Sequence, residues 1–161
     1  MSRRRCLDND VWDNRGREEL RVTANVPVKH DYPRASLWIC AGRDITEKIL
    51  NYFTTRPLVV TCKDERCPEV EAACRGTDTP APKLFNIGYH HKREETFFDD
   101  ILPSAKEALD NGRHVIMHCH AGVHRAALTY CIVTMHIRGC SFDQARQSLE
   151  QIRVVKINKI L

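Results

Sequence analysis

Nowhere in this sequence does an apolar run approach the ~20 residues needed to cross a bilayer. The opening MSRRRCLDND also lacks the apolar segment of a secretory signal. Both absences point to a reducing compartment, cytosol or nucleus, and to a protein without membrane partners. There the eight cysteines are expected as thiols, metal ligands or a reactive nucleophile rather than as disulfides. Internal repeats and low-complexity segments are missing, which excludes repeat architectures. Excess charge is small too: a net +4 slightly favours anionic ligands and does not by itself imply nucleic acid. The interleaved aromatic and basic residues of an RNA-binding surface are absent, and SRRR at residues 2–5 reads as a solvated terminus.

What is present is ordinary for a globular chain: 161 residues, 42% hydrophobic and 29% charged, enough for one domain with a real core. Residues 1–34 read as an extension with one short strand at LRVTANVPV, and residues 35–161 as the domain. ASLWICAG is predicted as the first core strand, ending at Gly42, and RPLVVTC as a second, fully buried one. Between them DITEKILNYF carries Asp44 and Glu47 at capping-box spacing and Ile45, Ile49, Leu50 and Phe53 on one face, the pattern of a helix.

Residues 63–82 turn polar and read as a surface loop with one helical turn at PEVEAAC, after which KLFNIGY resumes as a strand. TFFDDILPSAKEALDNG is predicted helical, with Thr96 as N-cap, Gly112 as stop and Pro103 as a kink or late start. HVIMHC is the most apolar strand, and RAALTYCIVTMHIRG, apolar nearly all round, should be a central helix with Cys131 and Met135 in the core. SFDQARQSLEQIRVV opens with Ser141 and Gln144 at capping-box spacing and turns Ala145, Leu149 and Ile152 inward. Strands alternating with helices define an α/β class, a mostly parallel central sheet flanked by helices.

One stretch carries chemistry. HVIMHCHAGVHRAAL places Cys119 at the end of the strongest strand and Arg125 at the start of the central helix. A Cys-x5-Arg pair alone is weak evidence, because Cys140 and Arg146 have the same spacing in CSFDQAR. That second pair follows no buried strand and holds no glycine, so it is read as accidental. In the first pair the context differs. Open α/β sheets bind ligands beyond the carboxyl ends of their strands. The N–H groups of His120, Ala121, Gly122, Val123 and His124 can converge there on an anion at a helix N-terminus. Gly122 permits the turn. The same field favours a thiolate, and an arginine can grip two phosphate oxygens at once. The competing reading is a plain strand–turn–helix with a buried cysteine.

HCHAGVHR matches the His-Cys-x-x-Gly-x-x-Arg signature of the protein tyrosine phosphatase superfamily, and its Ala-Gly resembles the compact dual-specificity phosphatases. SLWICAG, FFDDILPSAKEALDNGRHVIMHC and RGCSFDQARQSLEQIR resemble the flanking elements of that fold, while residues 63–90 match poorly. QIRVVKINKIL resembles the start of its last helix. The resemblance implies a phosphatase acting on phosphorylated proteins without a cofactor. Cys119 would be the nucleophile, Arg125 the phosphoryl ligand, His118 the residue ordering the loop, and residues 120–124 the cradle.

Two departures bear on mechanism. Ala126 stands where most of the family carries a serine or threonine that helps the second step. The phosphatases of regenerating liver share this Arg-Ala, which implies slow hydrolysis of the phosphoenzyme. The family's aspartate general acid, placed about thirty residues before the cysteine and worth about 10²–10⁴ in rate, has no counterpart, since no aspartate lies between Asp78 and Asp99. His90 and His91 occupy that stretch and can serve near neutral pH; Glu94, Glu95, Asp99 and Asp100 follow. The gap also fits enzymes with good leaving groups, such as RNA 5′-triphosphatases of this fold, or a phospho-binding scaffold without turnover. Cys62, at the end of the strand before, is placed by the resemblance to regenerating-liver phosphatases as a redox partner of Cys119, against the reading of a buried core thiol. Cys62, Cys67 and Cys74 with the histidines match no zinc pattern, and no metal is expected.

Overall fold

The computed structural model describes residues 27–63, 65–86, 93–120, 125–153 and 155, with the backbone alone for residues 93 and 94. Five strands form one sheet in the order β1-β2-β5-β3-β4. Their ranges are Val28–Asp31 (β1), Ser36–Ala41 (β2), Leu58–Thr61 (β3), Lys83–Leu84 (β4) and Val115–Cys119 (β5). Only β1 runs antiparallel to its neighbour; the other pairings are parallel. The sheet is the expected α/β one, and β5, the most apolar strand, takes its centre.

Both faces of the sheet are covered, so the central strands are buried throughout rather than alternating between core and solvent. Leu37, Ile39, Val60, Val115 and Met117 pack on one side against helices α4 (Leu102–Asp110), α5 (Arg125–Arg138) and α6 (Phe142–Glu150). Trp38, Cys40, Val59 and Ile116 pack on the other, against the short α1 (Glu47–Leu50) and α2 (Pro68–Gly76). Helix α5 is the central one predicted. Its Tyr130 is fully buried, donates to the Leu37 carbonyl at 2.8 Å and accepts the His30 N–H at 3.0 Å. The His30 ring meets Ser148 of α6 at 2.9 Å, so one polar chain fastens β1 to both helices.

Several boundaries differ from the sequence reading. The N-cap of α1 is Thr46, whose hydroxyl accepts the Ile49 N–H at 3.3 Å, because Gly42–Asp44 closes first as a 3₁₀ turn that consumes Asp44. The helix is then a single turn, although Ile45, Ile49, Leu50 and Phe53 are buried as expected. Instead of one turn, the polar region 63–82 holds the nine-residue α2, which has Pro68 in its first turn and buries Val70, Ala73 and Cys74. Thr96 is no cap: it has helical dihedrals inside a helix that opens at α3 (Arg93–Thr96), widens into a π-helical stretch (Phe97–Ile101) and continues as α4. There the Leu102 N–H reaches back five residues to Phe97, which relieves the crowding Pro103 would cause in a tight α-turn.

Gly112 ends this run at φ 79°, as predicted. Ser141 and Gln144 form the complete capping box of α6. The strand expected at LRVTANVPV lies outside the described residues except for Pro27 and Val28, and β1 starts at Val28 and runs on to Asp31; the strand at KLFNIGY is limited to Lys83–Leu84 before residues 87–92 leave the described set. Among the described residues no helix is long and apolar enough to cross a membrane.

Candidate active site at the carboxyl end of the central strand

Parallel pairing brings the carboxyl ends of β2, β3 and β5 together, with Ala41 beside Cys119 and Thr61 beside His118. Alternation along β5 then sends the two residues of the motif to opposite faces. Cys119, 3% exposed, joins the side covered by α5, while His118, fully buried, stands on the other face next to Thr61. The chain crosses from Cys119 to Arg125, where α5 starts. There the Ala126 N–H donates to Cys119 Sγ at 3.4 Å. A 14-residue helix thus points its N-terminus at the sulfur, a placement that favours negative charge there. Arg125 is half-buried at the same end, and its carbonyl accepts the Thr129 hydroxyl at 3.0 Å.

The two ring nitrogens of His118 have different partners. Nδ1 lies 3.3 Å from the Cys119 carbonyl oxygen and Nε2 lies 2.7 Å from Thr61 Oγ1. Burial pushes the His118 pKa down to about 4; the bond to the Cys119 carbonyl opposes this, and the Lys63 ammonium adds to it. The ring is therefore neutral near pH 7. Gly42 faces the ring: a Cβ there would come 3.2 Å from Nδ1 and 3.3 Å from the Cys119 oxygen. The Gly42 N–H also donates to the His120 carbonyl at 3.3 Å. A side chain at this position would require the His118 ring and the Cys119 carbonyl to give by a few tenths of an ångström.

A measurable acid lability follows. His118 binds a proton readily when unfolded, near pH 6.5, but resists it in the fold down to about pH 4. Between those values the unfolded state holds more protons, so stability falls as pH falls, by about 3 kcal/mol over the whole window. His114 acts in the same direction: its pKa is lowered, first by burial and then by Lys29, and its Nδ1 accepts from the Ser36 N–H at 3.1 Å and the Trp38 indole at 3.3 Å. Urea unfolding at pH 7, 6 and 5 should show this loss beginning below pH 6.5. Equal stability at pH 7 and 5 would contradict the buried neutral ring.

Cys62 stands on the Cys119 side of the sheet, one position beyond β3, with its N–H donating to the His118 carbonyl at 2.7 Å. Burial pushes its thiol up to about 12 and the nearby Cys119 pushes the same way; Thr129 and Arg125 act in opposition. Cys67 and Cys74 belong to the opposite face, so the three cysteines weighed as metal ligands do not converge. Among the described residues no three His, Cys, Asp or Glu side chains are grouped to hold a metal ion. Cys140 and Arg146, the matching pair by spacing, span the turn from α5 into α6 and join no strand.

His120 is exposed beside Cys119, while Ala121, Gly122, Val123 and His124 lie outside the described residues, as do His90 and His91. Asp99 and Asp100 fall on the π-helical stretch. Asp100 is engaged by Lys83 at 2.9 Å and by Ser104 at 3.1 Å; the Lys83 bond chiefly holds its carboxyl below the usual range, the reverse of what a general acid needs. Sequence reasoning missed Thr61, Thr129 and the close approach of Gly42. The one available signal was a threonine ending an otherwise apolar strand directly before a cysteine.

The chain matches no protein-family model and no curated protein sequence. Solved structures do resemble it. The Cydia pomonella PTP-2 phosphatase superposes with a TM-score of 0.58 at 16% identity, covering 77% of this chain and 80% of its own. A mouse putative dual specificity phosphatase complexed with zinc tungstate gives 0.58 at 18%, covering 82% and 79%. The human tyrosine phosphatase-like serine/threonine/tyrosine-interacting protein gives 0.56 at 14%, covering 82% and 88%. At such identities the likeness shows the fold, which is that of the dual-specificity and tyrosine phosphatases.

Proposed function

We propose that, on this phosphatase fold, the chain hydrolyses phosphate monoesters through Cys119, with phosphotyrosine or phosphoserine/threonine in proteins as the substrate class. The observation that carries the reading is the Ala126 N–H donated to Cys119 Sγ at the N-terminus of α5, with Arg125 opening the same helix. The sulfur attacks phosphorus while the ester oxygen departs, leaving a cysteinyl phosphate, and water then cleaves the S–P bond. Arg125 holds two non-bridging oxygens through both displacements. His90 or His91 is the candidate proton donor to the departing oxygen, and residues 120–124 supply N–H groups to the phosphoryl oxygens. Cys62 completes the reading as the thiol that would pair with Cys119: once peroxide has converted Cys119 to a sulfenic acid, attack by the Cys62 sulfur forms the disulfide and releases water.

Hydrolysis of two aryl phosphates across pH 5 to 8, one with an activated and one with a poor leaving group, tests this reading. The activated ester should be turned over in either case; the poor one should keep pace if His90 or His91 donates the proton, and fall about 10²-fold behind if neither does. Comparable rates for both would show that a strong acid is present and make His90→Ala and His91→Ala the next variants. Turnover of neither would favour the second reading, a phospho-binding protein that kept the cradle. Ala126 in place of a hydroxyl is the observation on that side.

A further inference from the structure

We propose that Thr61 is a positioning residue for Cys119, acting through His118; its effect on turnover rests on the phosphatase reading, whereas its effect on the thiol does not. Thr61 is the last residue of β3 and is 1% exposed, paired across the ladder with His118. A carbonyl only accepts, so the 3.3 Å contact to the Cys119 oxygen places the ring proton on Nδ1. In a neutral ring Nε2 is then an acceptor, and the partner at 2.7 Å, the Thr61 hydroxyl, is the donor. The ring is held from two sides, by this hydroxyl at Nε2 and by the Cys119 carbonyl at Nδ1. The chain of bonds is thus Thr61 to His118 to the Cys119 carbonyl, ending on the residue whose sulfur must meet the Ala126 N–H.

Valine in place of Thr61 keeps the shape and removes the donor. Nε2 is left buried without a partner, and the ring loses the anchor that aims Nδ1 at the carbonyl. Cys119 then shifts relative to the N-terminus of α5 and its thiolate loses stabilisation. The charged and titratable groups that face this pair are Lys63 on the His118 side, and Cys62 and Arg125 on the Cys119 side; none of them changes in the variant.

The test is the rate of Cys119 alkylation by iodoacetamide at pH 6 relative to pH 9, with mass spectrometry assigning the modified cysteine. Thr61→Val should lower this ratio severalfold, and Thr61→Ser, which keeps the hydroxyl, should restore it. Nitrogen-15 spectra of the His118 ring in the full chain provide a readout independent of any variant's folding. A proton on Nδ1 is expected in the wild type, and a proton on Nε2 overturns the assignment. So does a valine ratio within twofold of wild type. Absence of turnover in the wild type, with the alkylation ratios as stated, would instead remove the phosphatase reading and leave the role of Thr61 standing.

Discussion

Cys119→Ser is expected to lower phosphate-ester turnover by at least about 10⁴-fold, because a serine hydroxyl at neutral pH is a far weaker nucleophile than a thiolate. The geometry makes this the largest expected effect in the molecule. Cys119 is the residue toward which the N-terminus of α5 points, and the Ala126 N–H that reaches its sulfur would reach a serine oxygen less well, oxygen being smaller and on a shorter bond. The oxyanion ligands stay in place, so tungstate, measured by titration calorimetry, should bind the serine chain about as tightly as the wild type. Loss of turnover with retained tungstate binding supports a covalent enzyme. Turnover within tenfold of wild type in the serine chain would mean that another group performs the chemistry.

Arg125→Lys is expected to lower kcat/KM for the activated ester by about 10²–10³-fold, in the range for removing a preorganised charge-stabilising donor. Charge is conserved in this change, but the planar fork that engages two oxygens together is not. The fold should tolerate it. Arg125 contributes its backbone carbonyl to the Thr129 hydroxyl, a bond the substitution leaves intact, and its side chain is only half-buried. Tungstate affinity should fall with activity while the thermal midpoint stays within a few degrees. A lysine variant within tenfold of wild type would deny the guanidinium its two-oxygen grip.

Legibility in the sequence followed the range over which each feature is determined. The strand, the Cys-x5-Arg span and the central helix are local, and β5 and α5 stand where HVIMHC and RAALTYCIVTMHIRG predicted them. The capping box at Ser141 is equally local and equally clear. Asp44 and Thr96 were misread because capping chemistry depends on where the chain actually enters the helix. At Asp44 a 3₁₀ turn intervenes, and at Thr96 the helix has already begun three residues earlier. The widened turn before Pro103 left no compositional trace beyond the proline itself. Thr61 and His118 are 57 positions apart, and nothing short of the β3–β5 register says that they touch.

The order of the strands also has a consequence in time. β5 is the last strand among the described residues yet lies between β2 and β3, which are joined only through it. A ribosome adding about 5–20 residues per second needs roughly 3–12 s to pass from Thr61 to Cys119. Through that interval β2 and β3 each keep an unpaired edge, and the contact that fastens β2, such as the Ser36 N–H on His114, spans 78 positions. Long-range parallel pairing of this kind is slow to form. The strand that finally fills the gap brings the thiol with it, and the helix N-terminus that serves the thiol is made directly afterwards. Sheet closure and assembly of the site are one event, and a nascent chain halted before residue 119 has neither.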